Sequence, residues 1–176
     1  IKDIKKVEEE TKKVIEEMKG REEDFTGSII ASGNIDKTFI GKTIGAISKN
    51  QGTSVLETVI NLLIAAEGKL VIFWPAVSEE NIIKALKSNL SIIASDGSAY
   101  SLADRSEGYL PHPRSFGCFP RVLSHYVREK NILSLEEAVK KMTALPALKA
   151  GLPYRGVIRQ GFFADITIFN PDTVQD

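Results

Sequence analysis

The sequence predicts an α/β fold, and three observations carry that expectation. Residues 70–74 (Leu-Val-Ile-Phe-Trp) and residues 90–94 (Leu-Ser-Ile-Ile-Ala) are apolar runs of strand length. Between them Ser78 opens a helical pattern, with Glu79 and Glu80 in its first turn and Ile82, Ile83 and Leu86 forming one stripe. Apolar runs of that length mark strands buried on both faces, and a capped helix between two of them makes a right-handed βαβ unit with parallel strands.

The other elements follow in order. Ile4, Val7, Val14 and Met18 recur at helical spacing over residues 1–19 before Gly20, which predicts an amphipathic helix. Residues 26–31 and 38–40 read as short strands or extended edges, and residues 42–49 as a short helix. Ser54 with Glu57 forms a capping box that opens an apolar helix through Leu56, Val59, Ile60, Leu63 and Ile64 to Gly68. Residues 97–117 hold Gly108, Pro111 and Pro113 without periodicity, and a loop that long in a compact domain tends to be functional. Pro120 suits the first position of a helix over residues 121–130, and Ser134 with Glu137 caps another that Pro146 ends. Residues 156–158 and 164–169 flank a turn at Arg159-Gln160-Gly161, so they predict a hairpin.

At 176 residues the chain is long enough to build one sizeable core without a disulfide or metal staple. Its 23 basic and 23 acidic residues cancel, which argues against a nucleic-acid partner or a membrane surface and favours a small-molecule partner. The single cysteine, Cys118, excludes an internal disulfide and fits a reducing compartment, so the expected location is cytoplasmic. No apolar run approaches the roughly 20 residues that span a bilayer. The N-terminus carries neither an initiator methionine nor a signal peptide, and the chain is expected to be a piece of something longer.

Asp96 is the most informative candidate for chemistry, because it stands after an expected parallel strand and before a glycine and the long loop. Active sites in such folds gather at the C-terminal ends of the strands, where a carboxylate serves as proton shuttle or metal ligand. Position alone allows equally that Asp96 only bonds turn amides. His112-Pro113-Arg114 lies in the same loop; a guanidinium suits bidentate capture of a carboxylate, although a solvated loop residue is the commoner role for either side chain. His125 reads as a helix-surface or core-edge residue, and Cys118 as a small buried residue rather than a nucleophile. Gly41-Lys42-Thr43 fails as a phosphate-binding loop, since that motif needs a glycine where Asp36 stands. Two histidines are too few for a histidine-rich zinc site.

From about residue 41 to 171 the chain resembles the C-terminal part of the N-acyl-D-amino-acid deacylase (D-aminoacylase) family of the amidohydrolase superfamily. The resemblance rests on Ser95-Asp96-Gly97, His112-Pro113-Arg114, residues 117–123 (Gly-Cys-Phe-Pro-Arg-Val-Leu), residues 137–143, Pro146-Ala147 and residues 155–165, in that order. It implies that residues 1–150 are the last strands and helices of a TIM-like (β/α) barrel and that residues 151–176 are a hairpin of a small β domain. It implies hydrolysis of N-acyl-D-amino acids with zinc, Asp96 being both the catalytic acid/base and a metal ligand. Arg114 would bind the substrate α-carboxylate, with His112 shaping the same substrate-binding loop. The stretch between Asp96 and His112 is longer than the resemblance leads one to expect. The family's early His-x-His pair, its bridging ligand and its later metal-binding histidines have no counterpart, so most zinc ligands are expected from a missing N-terminal part or another copy of the chain, and the chain alone is expected to be inactive. The alternatives are a non-catalytic structural or associative fragment, or another amidohydrolase such as a cyclic-amide hydrolase.

Overall fold

The structure is a computed structural model that describes residues 13, 15–17, 25–101 and 108–176. The helix expected over residues 1–19 lies outside the described residues, apart from helical Lys13 and residues 15–17. The chain forms two compact units, residues 1–76 with 101–112 and residues 77–100 with 113–176.

The first unit is a two-stranded sheet with two helices. Strand β1 (Ile29–Gly33) leads through a 3-10 turn at Lys37–Phe39 to helices α1 (Ile44–Gln51) and α2 (Val55–Ala65), and then to strand β2 (Leu70–Phe73). Local chemistry sets the helix ends. Thr43 Oγ1 accepts the Ala46 N–H at 3.1 Å to open α1, Gly52 closes it in the left-handed region at φ +68°, and Ser54 Oγ accepts the Glu57 N–H at 3.1 Å to open α2. Ile30, Ile44, Ile47, Val59 and Leu62 close a core against which Leu70 and Ile72 pack.

The expected parallel βαβ unit is absent. Strand β2 pairs antiparallel with β1, Ile30 facing Ile72 and Gly33 facing Leu70, with a bulge between Ile30 and Ser32. Residues 90–94 form no strand. An apolar run reports burial and stiffness, not which neighbour will take its backbone hydrogen bonds. Val71 is 52% exposed, so the run is not buried on both faces, and Leu90 is 97% exposed. Backbone groups a ladder would use around residues 88–94 are already engaged: Ser91 N–H donates to Ser88 O at 3.2 Å, and Ile93 N–H donates to Lys141 O at 3.0 Å.

The second unit is helical: α3 (Glu79–Lys87), α4 (Arg114–Arg121), a π-helical segment (Val122–Glu129), α5 (Leu135–Met142) and α6 (Ala144–Lys149). Ser78 and Ser134 cap α3 and α5 as expected, accepting the Asn81 and Glu137 N–H groups at 3.3 and 3.2 Å. Helix α4 begins at Arg114, ahead of the expected start at Pro120, which instead lies inside it. A proline removes one amide donor from the ladder. The wide turns begin two residues later and end with Lys130 N–H bonded five residues back to His125 O at 2.9 Å. Leu86, Ile93, Val122, Leu123, Tyr126 and Ala138 form the core.

The hairpin expected in the tail is not paired. Among the described residues 151–176 carry no strand, and Ile158 and Ile168 are 90% and 93% exposed. A lone hairpin is marginal in water. The segment is held by local contacts instead: Arg155 pairs with Asp165 and lies 4.3 Å over the Phe163 ring, and Phe163 N–H donates to Tyr154 O at 2.9 Å.

Glu79, in the first turn of α3, accepts from Lys130 Nζ at 2.8 Å and from the Tyr126 hydroxyl at 3.1 Å. The Lys130 bond is the main reason its carboxyl is held below the usual range, against the opposing effect of desolvation. A carboxylate whose pKa is lower folded than unfolded stabilises above the unfolded value and loses that contribution as pH falls through the folded one. The melting temperature should therefore drop further between pH 7 and about pH 3 in the parent chain than in Glu79→Gln. Equal drops would show that Glu79 does not link protonation to folding.

Candidate active site

Asp96 sits in a segment with neither helix nor strand, in the short turn that the Ser95 side chain closes onto Gly97. Ser95 Oγ accepts the Gly97 N–H at 3.1 Å, and Ser115 Oγ accepts the Ser98 N–H at 3.2 Å. A Cβ on Gly97 would stand 2.8 Å from Ser115 Cα and 3.3 Å from Arg114 O, so only glycine lets this turn press against the first turn of α4. Asp96 itself adopts φ +49°, a left-handed conformation that aspartate visits more readily than most residues and that still costs on the order of 1 kcal/mol.

The turn brings two of the expected residues together. Arg114 Nη1 lies 3.1 Å from Asp96 Oδ2, with the two side chains 46% and 87% exposed. An ion pair this open contributes about 0.2–1 kcal/mol, too little to serve as a structural strut and little enough for a competing carboxylate to displace. His112 belongs to the other compact unit, where its ring meets Phe73 edge-on at 4.6 Å.

The remaining candidates gain no catalytic role, although Cys118 is only partly buried rather than buried as expected. Cys118 Sγ donates to Ala94 O at 3.8 Å, and burial pushes its thiol pKa up, which disfavours the thiolate a nucleophile needs. His125 is bonded through Nδ1 to Glu129 at 2.8 Å and stands 3.7 Å from Glu79. Among the described residues no three His, Cys, Asp or Glu side chains gather as a metal site. Asp96 alone does not fit the three- or four-ligand shell of zinc. One residue that pattern reading missed is Lys141, 2% exposed and bonded to the segment that leads into Asp96.

The profile described as the Amidohydrolase family matches residues 92–176, a span that holds Asp96, His112 and Arg114. D-aminoacylase of Alcaligenes xylosoxydans xylosoxydans is 36% identical over 136 residues, 77% of this chain and 26% of the relative. N-acyl-D-glutamate deacylase of the same organism is 43% identical over 101 residues, 57% of this chain and 19% of the relative. The crystal structure of N-acyl-D-glutamate deacylase from Bordetella bronchiseptica, complexed with zinc and a phosphonate inhibitor, superposes with a TM-score of 0.67 at 31% identity, covering 89% of this chain and 31% of that one. Over the matched residues this chain is similar to the N-acyl-D-amino-acid deacylases of the amidohydrolase superfamily. It spans about a quarter of the length of the curated D-aminoacylase. Its likeness to a deacylase structure extends over most of its length, although the described residues show a single two-stranded sheet and not a barrel.

Proposed function

We propose that the whole protein hydrolyses the amide bond of N-acyl-D-amino acids, and that this chain supplies Asp96 as proton carrier and Arg114 as binder of the substrate carboxylate. The observation that carries this reading is the 3.1 Å approach of the two side chains. In an N-acyl amino acid the amide nitrogen and the carboxylate are attached to the same carbon, so the groups that handle them must stand within one side chain's reach. Asp96 takes a proton from the attacking water as its oxygen bonds to the acyl carbon. The same proton then passes to the amide nitrogen as the C–N bond breaks, releasing a carboxylic acid and the free amino acid. The preference for D-substrates rests on the D-aminoacylase and N-acyl-D-glutamate deacylase relatives. The solved relative holds zinc, and zinc is the metal we assign to the whole protein. Most of its ligands would be supplied by residues beyond this chain. His112 belongs, in this reading, to the loop bordering the substrate.

The test is amine release by the whole protein from an N-acetyl-D-amino acid and from its L-enantiomer. Release from the D-form alone is expected, and no release from any N-acyl-D-amino acid in the presence of zinc would overturn the assignment. The 176-residue chain assayed alone should release no amine and show only weak zinc binding by calorimetry, because lone oxygen ligands do not build a zinc shell. Tight one-to-one binding would mean that the chain carries a ligand set of its own.

A further inference from the structure

We propose that Lys141 is a positioning residue that keeps Asp96 in its left-handed conformation beside Arg114. This rests on the reading of Asp96 as the proton carrier.

Lys141 lies on the inner face of α5, one turn after fully buried Ala138, and is itself 2% exposed. Burying an ammonium is costly unless each of its three N–H groups is hydrogen-bonded. The acceptors are Ser88 O, Ser91 O at 3.2 Å and Ser91 Oγ at 3.0 Å. All three are neutral. A methionine of similar length would fill the slot without desolvating a charge, so packing gives no reason for a lysine here. What the ammonium adds is a three-point hold on a segment that has neither helix nor strand to fix it. Ser88 is also the C-terminal cap of α3, where carbonyls without helical partners and the helix dipole favour a cation.

The hold continues toward the site. The backbone carbonyl of Lys141 accepts the Ile93 N–H at 3.0 Å, and the Ile93 side chain is buried in the core beside Leu86 and Ala138. Three residues later comes Asp96, and just beyond it Gly97 and Ser98 are pressed onto α4 at Ser115. The turn is thus tied to α5 on one side and to α4 on the other. A chain anchored at both ends has little slack, which is the condition under which a left-handed aspartate persists. Without the ammonium, residues 88–91 lose their hold, the main-chain bond from Ile93 N–H to the residue 141 carbonyl opens more often, and Asp96 relaxes toward ordinary negative φ, carrying its carboxylate away from Arg114.

The experiment is heteronuclear NMR on the 176-residue chain as Lys141→Met, Lys141→Arg and Ser91→Ala. In Lys141→Met the Asp96 Cα and Cβ shifts should leave their left-handed values, and amide exchange at Ile93 should quicken about tenfold or more, as expected for a lost charge-assisted hydrogen bond. Exchange in β1 should stay as it was. Lys141→Arg should restore part of the Asp96 signature. If Lys141→Met does not fold, Ser91→Ala decides, with the same changes expected at smaller size. Unchanged Asp96 shifts in a folded Lys141→Met, or in Ser91→Ala when that variant alone is available, would overturn the proposal. So would exchange that rises evenly across the chain, since that reports global stability alone. No substrate enters this measurement, so it can fail while the whole protein still deacylates, and it can succeed if the deacylase assignment fails.

Discussion

Asp96→Asn in the whole protein should lower kcat/KM on an N-acyl-D-amino acid by roughly a hundred- to ten-thousandfold, the usual worth of a positioned acid or base. The substitution is chosen because it leaves the geometry in place. Asparagine tolerates the left-handed φ of +49° as well as aspartate does, and it presents the same outline to Arg114. What is lost is the charge, and with it the ability to take up and release a proton. Because the side chain is 87% exposed and its ion pair with Arg114 is weak, thermal stability should hardly change. Steady-state kinetics with a melting curve on the same sample separate the two effects. Activity within tenfold of the parent protein, at equal stability, would remove Asp96 from the proton path and leave it a turn residue.

Arg114→Ala should cost about ten- to a hundredfold in kcat/KM, since a charge-assisted hydrogen bond is worth about 1.5–3 kcal/mol. The loss should depend on the substrate. A guanidinium offers two parallel N–H groups to one carboxylate, so an amide-capped analogue without the carboxylate should be turned over almost equally by parent and variant. Arg114→Lys should recover part of the loss, since an ammonium keeps the charge and loses the fork. An equal factor on both substrates would show that Arg114 does not read the carboxylate. As the first residue of α4, packed by its carbonyl against the Gly97 turn, Arg114 has its main chain placed by the helix and its side chain half-exposed beside Asp96.

Much of the local structure was legible before any coordinates. Ser54, Ser78 and Ser134 each accept the N–H three residues on, because a cap needs only its own first turn to form. Asp96, Gly97 and Arg114 were legible in another way: the resemblance singled out Asp96 and Arg114, and the structure brings their side chains together. Lys141 was not legible. A lysine three residues after Ala138 in an otherwise inward stripe looks like a face slipping toward solvent, and only the carbonyls of Ser88 and Ser91 show why it points in.

The sequence by itself determined where the serine-capped helices α2, α3 and α5 start and which carboxylate stands beside a glycine, because each depends on residues within a turn or two of one another. The tertiary structure alone decided what the apolar runs do. Residues 70–73 paired antiparallel with residues 29–33, residues 90–94 gave their backbone to α5 instead of a sheet, and residues 164–169 found no strand partner among the described residues. The physical reason is that a strand, unlike a helix, leaves its hydrogen bonds to a distant segment. An apolar run therefore states its need for a partner without naming it, and the ammonium of Lys141 and the side chain of Arg114 reach their partners only once those segments have settled.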